Sequence, residues 1–192
     1  MSRKLPRADR RAQLLEIASD IVREQGTDAL TLGWLAERAG VSKPIAYDHF
    51  ETRSGLMMAL YKEAMDRQVD ALSVALQGTP REPESIARVL AMAYLECATT
   101  VGPEWHAIGA ALRGDALMDA YHREMREDHA AFYAEAIQPL SELNPATVRR
   151  RCVGLIGAME AVSNEITAGH IQLEPAVEDL GSLIVTWLMN DR

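Results

Sequence analysis

Apolar residues recur at intervals of three and four along almost the whole chain, and glycine or proline stands at most of the breaks. That interval matches the helical turn rather than the two-residue repeat of a strand, so the chain is confined to helices packed on helices. Over residues 9–25 the series is Leu14, Leu15, Ala18, Ile21 and Val22, closed by Gly26. Thr31 offers an N-cap for a short helix ending before Gly40, and Ser42 offers one for a shorter helix ending near Phe50. A fourth helix starts at Thr52 or Ser54 and keeps its period through Leu56, Leu60, Ala64, Leu72 and Leu76, until Gly78 and Pro80. Further helices are expected over about 83–100, around 105–112, and over about 115–137, 145–168 and 175–189. No segment carries a defensible strand signal. The fold class expected is all-α.

The last two helices differ from the others. Residues 152–161, CVGLIGAMEA, place Gly154, Gly157, Ala158 and Ala161 at helical spacing. An interior glycine costs a helix about 1 kcal/mol against alanine, and close approach of another helix is a physical compensation. The final helix is apolar nearly all round, with Leu180, Leu183, Ile184, Val185, Trp187 and Leu188. Such a helix needs cover on both sides, which a second copy of the chain would supply; the alternative is that both helices complete a monomer core. A homodimer through residues 145–168 and 175–189 is therefore expected.

Charge is distributed unevenly. The chain carries a formal net −8, yet residues 1–55 hold nine Lys/Arg against eight Asp/Glu, a net of +1, which leaves −9 for the rest. Arg3, Lys4, Arg7, Arg10 and Arg11 form a basic arm at the front. A nucleic-acid end joined to an acidic body fits that asymmetry. At 48% hydrophobic and 25% charged, the composition excludes a disordered chain. No apolar run approaches the ~20 residues of a membrane span, and MSRKLPRADRR is followed by no secretory-type apolar core. Cys97 and Cys152 lack a C-x-x-C partner and are read as buried free thiols, with a disulfide or redox switch as the alternative. A cytoplasmic location and no membrane partner are expected.

Residues 31–50 read as helix, glycine turn, helix, the layout whose second helix can enter a major groove. The hydroxyls of Thr31 and Ser42 can cap helices or donate to phosphate oxygens. Lys43 lies in the first turn of the second helix, and Pro44 sits where its missing N–H breaks no helical bond. Tyr47 and His49 can each donate to a phosphate, and Arg53 can reach one from the next helix. The competing reading is purely structural: Ala36, Ala39, Val41, Ile45 and Phe50 form a small core beneath a solvated polar face.

TLGWLAERAGVSKPIAYDHFETRSGLMMALYKE resembles the DNA-binding motif of the TetR family of transcriptional regulators in order and spacing. A Thr opens the second helix, L-A-E-R-A-G-V-S crosses the turn, Y-x-H-F closes the recognition helix, and Ser54 and Leu56 follow. The resemblance covers residues 10–62. It implies a three-helix helix-turn-helix DNA-binding domain over 1–53 and a helical effector-binding and dimerisation domain over 54–192. It implies that Thr31, Ser42, Tyr47, His49 and Arg53 touch phosphates while Lys43, Pro44 and Ile45 face bases. Gly33 and Trp34 depart from the polar or basic residues usual in the first turn of the second helix. Asp48, on the recognition helix, either turns away, pairs with a basic side chain, or accepts from a cytosine amino group.

The family layout further implies an inducer pocket among the middle helices, for which Trp105, His106, Tyr121, Met125, His129, Phe132, Tyr133 and Met159 are candidates. Methionines suit an adaptable apolar ligand, although core packing accounts for most residues on such stripes. No cofactor, metal site or catalytic constellation is expected: there is no H-E-x-x-H, no G-x-S-x-G and no glycine-rich phosphate loop. The resulting expectation is a ligand-responsive repressor that binds a near-palindromic operator in double-stranded DNA as a homodimer. The alternative is a small-molecule-binding or enzyme-like helical protein with a relic motif at its front.

Overall fold

The computed structural model describes residues 5–101, 103–112 and 116–189, and their side chains except those of 98–101 and 103–106. Among the described residues there are nine α-helices and no strand. They are α1 (Arg7–Gln25), α2 (Leu32–Arg38), α3 (Lys43–Phe50), α4 (Arg53–Gln77), α5 (Pro83–Val101), α6 (Pro103–Leu112), α7 (Ala116–Ile137), α8 (Pro145–Thr167) and α9 (Leu173–Ile184). The expected breaks hold: Gly26 and Gly40 end α1 and α2 at positive φ (80° and 63°), where a residue without Cβ is unstrained. No described helix is long and apolar enough to cross a membrane.

The chain forms two compact units. The first runs to Ala64 and also takes in Pro103–His122; the second comprises Met65–Gly102 and the chain from Arg123 onward. The sequence places a boundary between residues 53 and 54, at the first turn of α4. The front unit extends further because Leu56, Met57, Leu60, Tyr61 and Ala64 of α4 are buried. Helical periodicity identified that face without identifying its partners. Leu14, Ala18 and Ile21 of α1, Leu35 of α2 and Ala46 of α3 are wholly inaccessible and centre this unit's core. Ile108 and Leu112 of α6, which packs on α1, are buried as well.

In the second unit α5 packs on α8 and α9 around Leu90, Ala91, Leu95, Leu155, Val177 and Ile184. Gly154 is explained by contact: a Cβ there would stand 2.9 Å from the Trp187 ring. Cys152 is buried and Cys97 half-buried, both as free thiols. Burial raises both, Cys152 to about 12, which leaves it an inert thiol at neutral pH.

The last helix does not continue regularly to Met189, as its period suggested. It ends at Ile184 and widens into a π turn over Val185–Met189. Carbonyls there find partners outside the helix: Arg151 Nη1 donates to Trp187 O, Ser141 Oγ to Leu188 O, and the Glu142 amide to Met189 O. Such donors substitute for the intrahelical ladder and tie the loop before α8 to the end of the chain.

Candidate nucleic-acid interface

The helix-turn-helix is assembled by short-range hydrogen bonds. Thr31 has extended backbone, and its hydroxyl accepts from the Trp34 amide at 3.1 Å, the expected N-cap of α2. At the other end of α2 the Gly40 amide donates to Glu37 O at 3.1 Å and the Val41 amide to Ala36 O at 2.9 Å. The chain then turns into α3.

Ser42 occupies the N-cap position of α3, but its hydroxyl makes no capping hydrogen bond. The reason is local. Pro44 removes one of the amides a cap would serve, and the Ile45 amide is taken by the Ser42 carbonyl at 3.0 Å. The Ser42 side chain is therefore exposed without a capping duty.

Burial divides α3 sharply. Ala46 and Phe50, four apart, point into the core, while Lys43, Pro44, Ile45, Tyr47 and Asp48 are exposed. Ile45 is 37% and Tyr47 51% exposed, so Ile45 belongs to the outward face and not to the small core. The Lys43 side chain lies along Gly33, its Cε 3.7 Å from where a Cβ on Gly33 would stand. That spacing is an ordinary van der Waals contact, so the lysine stem passes over the first turn of α2 without requiring glycine there. Thr31 is exposed as well.

His49 is half-buried. Burial, followed by the charge of Arg7, holds its imidazole below the usual histidine range, so at neutral pH it meets an anion as a neutral donor. Arg53 spends much of its guanidinium inside the protein: Nε donates to Leu30 O at 2.9 Å and Nη2 to Thr27 O at 2.7 Å. It pins the α1–α2 connection to the start of α4, and the side chain remains 42% exposed.

Two features of this face were not resolved by sequence reasoning. Arg7 and Arg11 of the basic arm reach the far end of α3 across 41 and 38 residues. Arg7 pairs with Asp48 at 2.6 Å, so of the three fates open to that carboxylate the structure shows the basic partner. Glu51, which follows α3, has φ 60° and ψ −54°, a tight γ-turn closed by the Thr52 amide on Phe50 O at 2.6 Å. No residue preference marks such a turn when its centre is glutamate. Arg3 and Lys4 of the basic arm lie outside the described residues.

The eight candidate effector residues do not fall in one unit. Tyr121 belongs to the first, and Met125, His129, Phe132, Tyr133 and Met159 to the second. The side chains of Trp105 and His106 lie outside the described residues. Tyr133 and Met159 are fully buried, and Tyr133 Oη donates to Leu90 O at 3.2 Å. The His129 ring stacks 5.8 Å from Tyr94 and meets Tyr133 edge-on at 5.0 Å. A groove of about 380 Å³ beside Arg88, Val177 and Val185 contains none of the eight. Neither does a cavity of about 180 Å³ beside Leu76, Ile86 and Leu140.

Residues 14–60 match the sequence model of the bacterial regulatory proteins of the tetR family. The HTH-type transcriptional activator FasR of Mycolicibacterium smegmatis is 40% identical over 76 residues, 40% of this chain and 35% of that protein. The HTH-type transcriptional regulator BetI of Rhizobium meliloti is 32% identical over 75 residues, 38% of this chain and 37% of its own length. The chain thus spans little more than a third of these curated relatives. In fold the likeness is broader. A putative TetR-family transcriptional regulator from a Rhodococcus species has a TM-score of 0.73 at 21% identity, covering 94% of this chain and 99% of that one. The fatty acid degradation regulator FadR of Bacillus halodurans has a TM-score of 0.75 at 18% identity, covering 96% and 97%.

Proposed function

We propose that this chain, a member of the TetR family by its front helices, is a ligand-responsive transcriptional repressor that reads a near-palindromic operator as a homodimer. The observation that carries the DNA reading is the outward face of α3: Lys43, Pro44, Ile45 and Tyr47 are exposed together on a helix whose opposite face is buried. Lys43, Pro44 and Ile45 supply base contacts, and Thr31, Ser42, Tyr47, His49 and the exposed part of Arg53 supply phosphate contacts.

A shift titration of the chain against its own upstream DNA tests this reading. Lys43→Ala and Tyr47→Ala are each expected to lower affinity for the preferred site by roughly tenfold. Binding should weaken steeply with salt, as counterion release requires. Binding that shows no sequence preference and survives both substitutions overturns the reading.

The dimer reading is supported by apolar side chains left exposed on the last helices: Val153 (48%) on α8, with Leu183 and Trp187 (37% each) at the end of the chain. Sedimentation at micromolar concentration is expected to give a dimer, and Leu183→Glu to shift it toward monomer. A parent chain that sediments as a monomer removes the two-fold operator as well. The effector is a small molecule with a substantial apolar surface, in keeping with Met125, Phe132 and Met159 among the candidates. Activation in place of repression is a second reading, favoured by the name of FasR at 40% identity. A promoter–reporter assay with and without the chain decides the sign.

A further inference from the structure

The last four carbonyls of an α-helix have no intrahelical partner. In α3 they belong to Tyr47, Asp48, His49 and Phe50. The amides of Glu51 and Thr52 take the outer two, at 2.8 Å on Tyr47 O and 2.6 Å on Phe50 O. The middle two are taken by arginines of another helix. Arg7 Nη2 donates to Asp48 O and Arg11 Nη1 to His49 O, both at 3.0 Å. These arginines stand four apart and so share one face of α1. Each makes a second contact: Arg7 Nη1 meets Asp48 Oδ2 at 2.6 Å, and the Arg11 guanidinium lies 4.9 Å from the Phe50 ring centre.

The Arg7–Asp48 pair is open to solvent, with side chains 69% and 62% exposed. A pair so exposed adds little to folding stability, so fold stability does not explain an acid on an outward helix. Its geometric effect is larger. Two fixed nitrogens of one guanidinium bracket the carbonyl and the carboxylate of the same residue, which orients the fork as a point charge cannot. While bracketed, those two nitrogens are withheld from a phosphate.

We propose that Asp48 is a positioning residue for DNA reading. It holds Arg7 against the end of α3, so that α1 and α3 meet the duplex as one body, and it keeps Arg7 from indiscriminate phosphate binding. This rests on the DNA reading above. Removing the carboxylate releases a cation to any phosphate while loosening the helix that reads sequence. Preference for the right site then falls from both directions. If Asp48 merely repelled the duplex, its removal would strengthen binding to every sequence alike.

The full-length chain is first used to select a preferred site from a random-sequence duplex library. Affinities for that site and for a scrambled duplex are then measured across a salt series. Asp48→Ala is expected to lower the preference roughly fivefold and to steepen the salt dependence on scrambled DNA by about one charge. Arg7→Ala should lower the preference without that steepening, and the double variant should match Arg7→Ala alone. Arg7→Lys, which keeps the charge but not the fork, should lose preference as Asp48→Ala does. An Asp48→Ala effect of equal size in the Arg7→Ala background, or an unchanged preference ratio, overturns the inference and leaves the DNA reading standing. Failure of the parent chain to select any site overturns the DNA reading and this role with it. Melting temperatures within a few degrees of the parent establish that each variant is folded.

Discussion

Gly55→Ala is expected to destabilise the front unit by about 3 kcal/mol, the upper part of the range for forced overpacking. A Cβ on Gly55 would stand 2.3 Å from the carbonyl oxygen of Phe50 and 3.4 Å from its carbon. Both are backbone atoms and have no rotamer to escape into. The oxygen is further held by the Thr52 amide at 2.6 Å, and the Gly55 amide is itself capped by Thr52 Oγ1 at 3.0 Å. Relief therefore requires α3 and α4 to separate, which exposes Phe50 and Leu56, now almost fully buried. In a unit of this size the loss corresponds to a drop of roughly 10–20 °C in melting temperature, read by circular dichroism. Gly78→Ala is the control, because nothing lies within 4 Å of that added atom and its φ is ordinary. Equal melting temperatures for the two variants would contradict the contact.

The second large effect is a dependence of stability on pH that originates at His129. Its ring is 2% exposed, and its Nε2 has no hydrogen-bond partner. Burial depresses its proton affinity from the ordinary 6.5 to about 4. Below pH 6.5 the unfolded chain therefore binds a proton that the folded chain refuses. Stability is complete above pH 6.5 and is lost progressively as pH falls toward about 4, by about 3 kcal/mol in total. Below that the term is flat. His129→Phe should remove this slope and, by deleting an unpaired buried nitrogen, add about 1 kcal/mol at neutral pH. Urea midpoints from pH 7.5 to 4 for parent and variant isolate the term, since carboxylate titration is common to both. Parallel pH profiles would show that His129 finds a partner or water that the static packing does not reveal.

What could be read from the sequence follows the range of each interaction. Helix ends at Gly26 and Gly40 and the cap at Thr31 were legible because each depends on residues within four positions. Ser42 shows where that reasoning fails even locally: the residue type suits a cap, but Pro44 two residues later removes an amide the cap would have used. Residues 31–50 were read as a helix-turn-helix from motif spacing, and α2 and α3 take up that layout. The bracket on Asp48 was legible only as one of three options. Its partner lies 41 residues away, and nothing periodic connects the two. The return of 103–122 to the front unit has the same cause. An apolar stripe announces that a face is buried, but many equally apolar faces could bury it.

The tight passage from α3 to α4 has a consequence for how the outward face of α3 can diversify. Only Glu51 and Thr52 separate the two helices, one at positive φ and the other capping the Gly55 amide. Adding or deleting a residue in α3 would turn every later position of the helix by about 100° and carry Phe50 out of the core. Side chains on the outward face can be exchanged without disturbing the core; their number cannot. The segment behaves as a line of type of fixed width, in which letters are replaced one at a time and never inserted. On the DNA reading proposed above, new site preferences would be reached by substitution at Lys43, Pro44, Ile45 and Tyr47, with the frame around them unchanged.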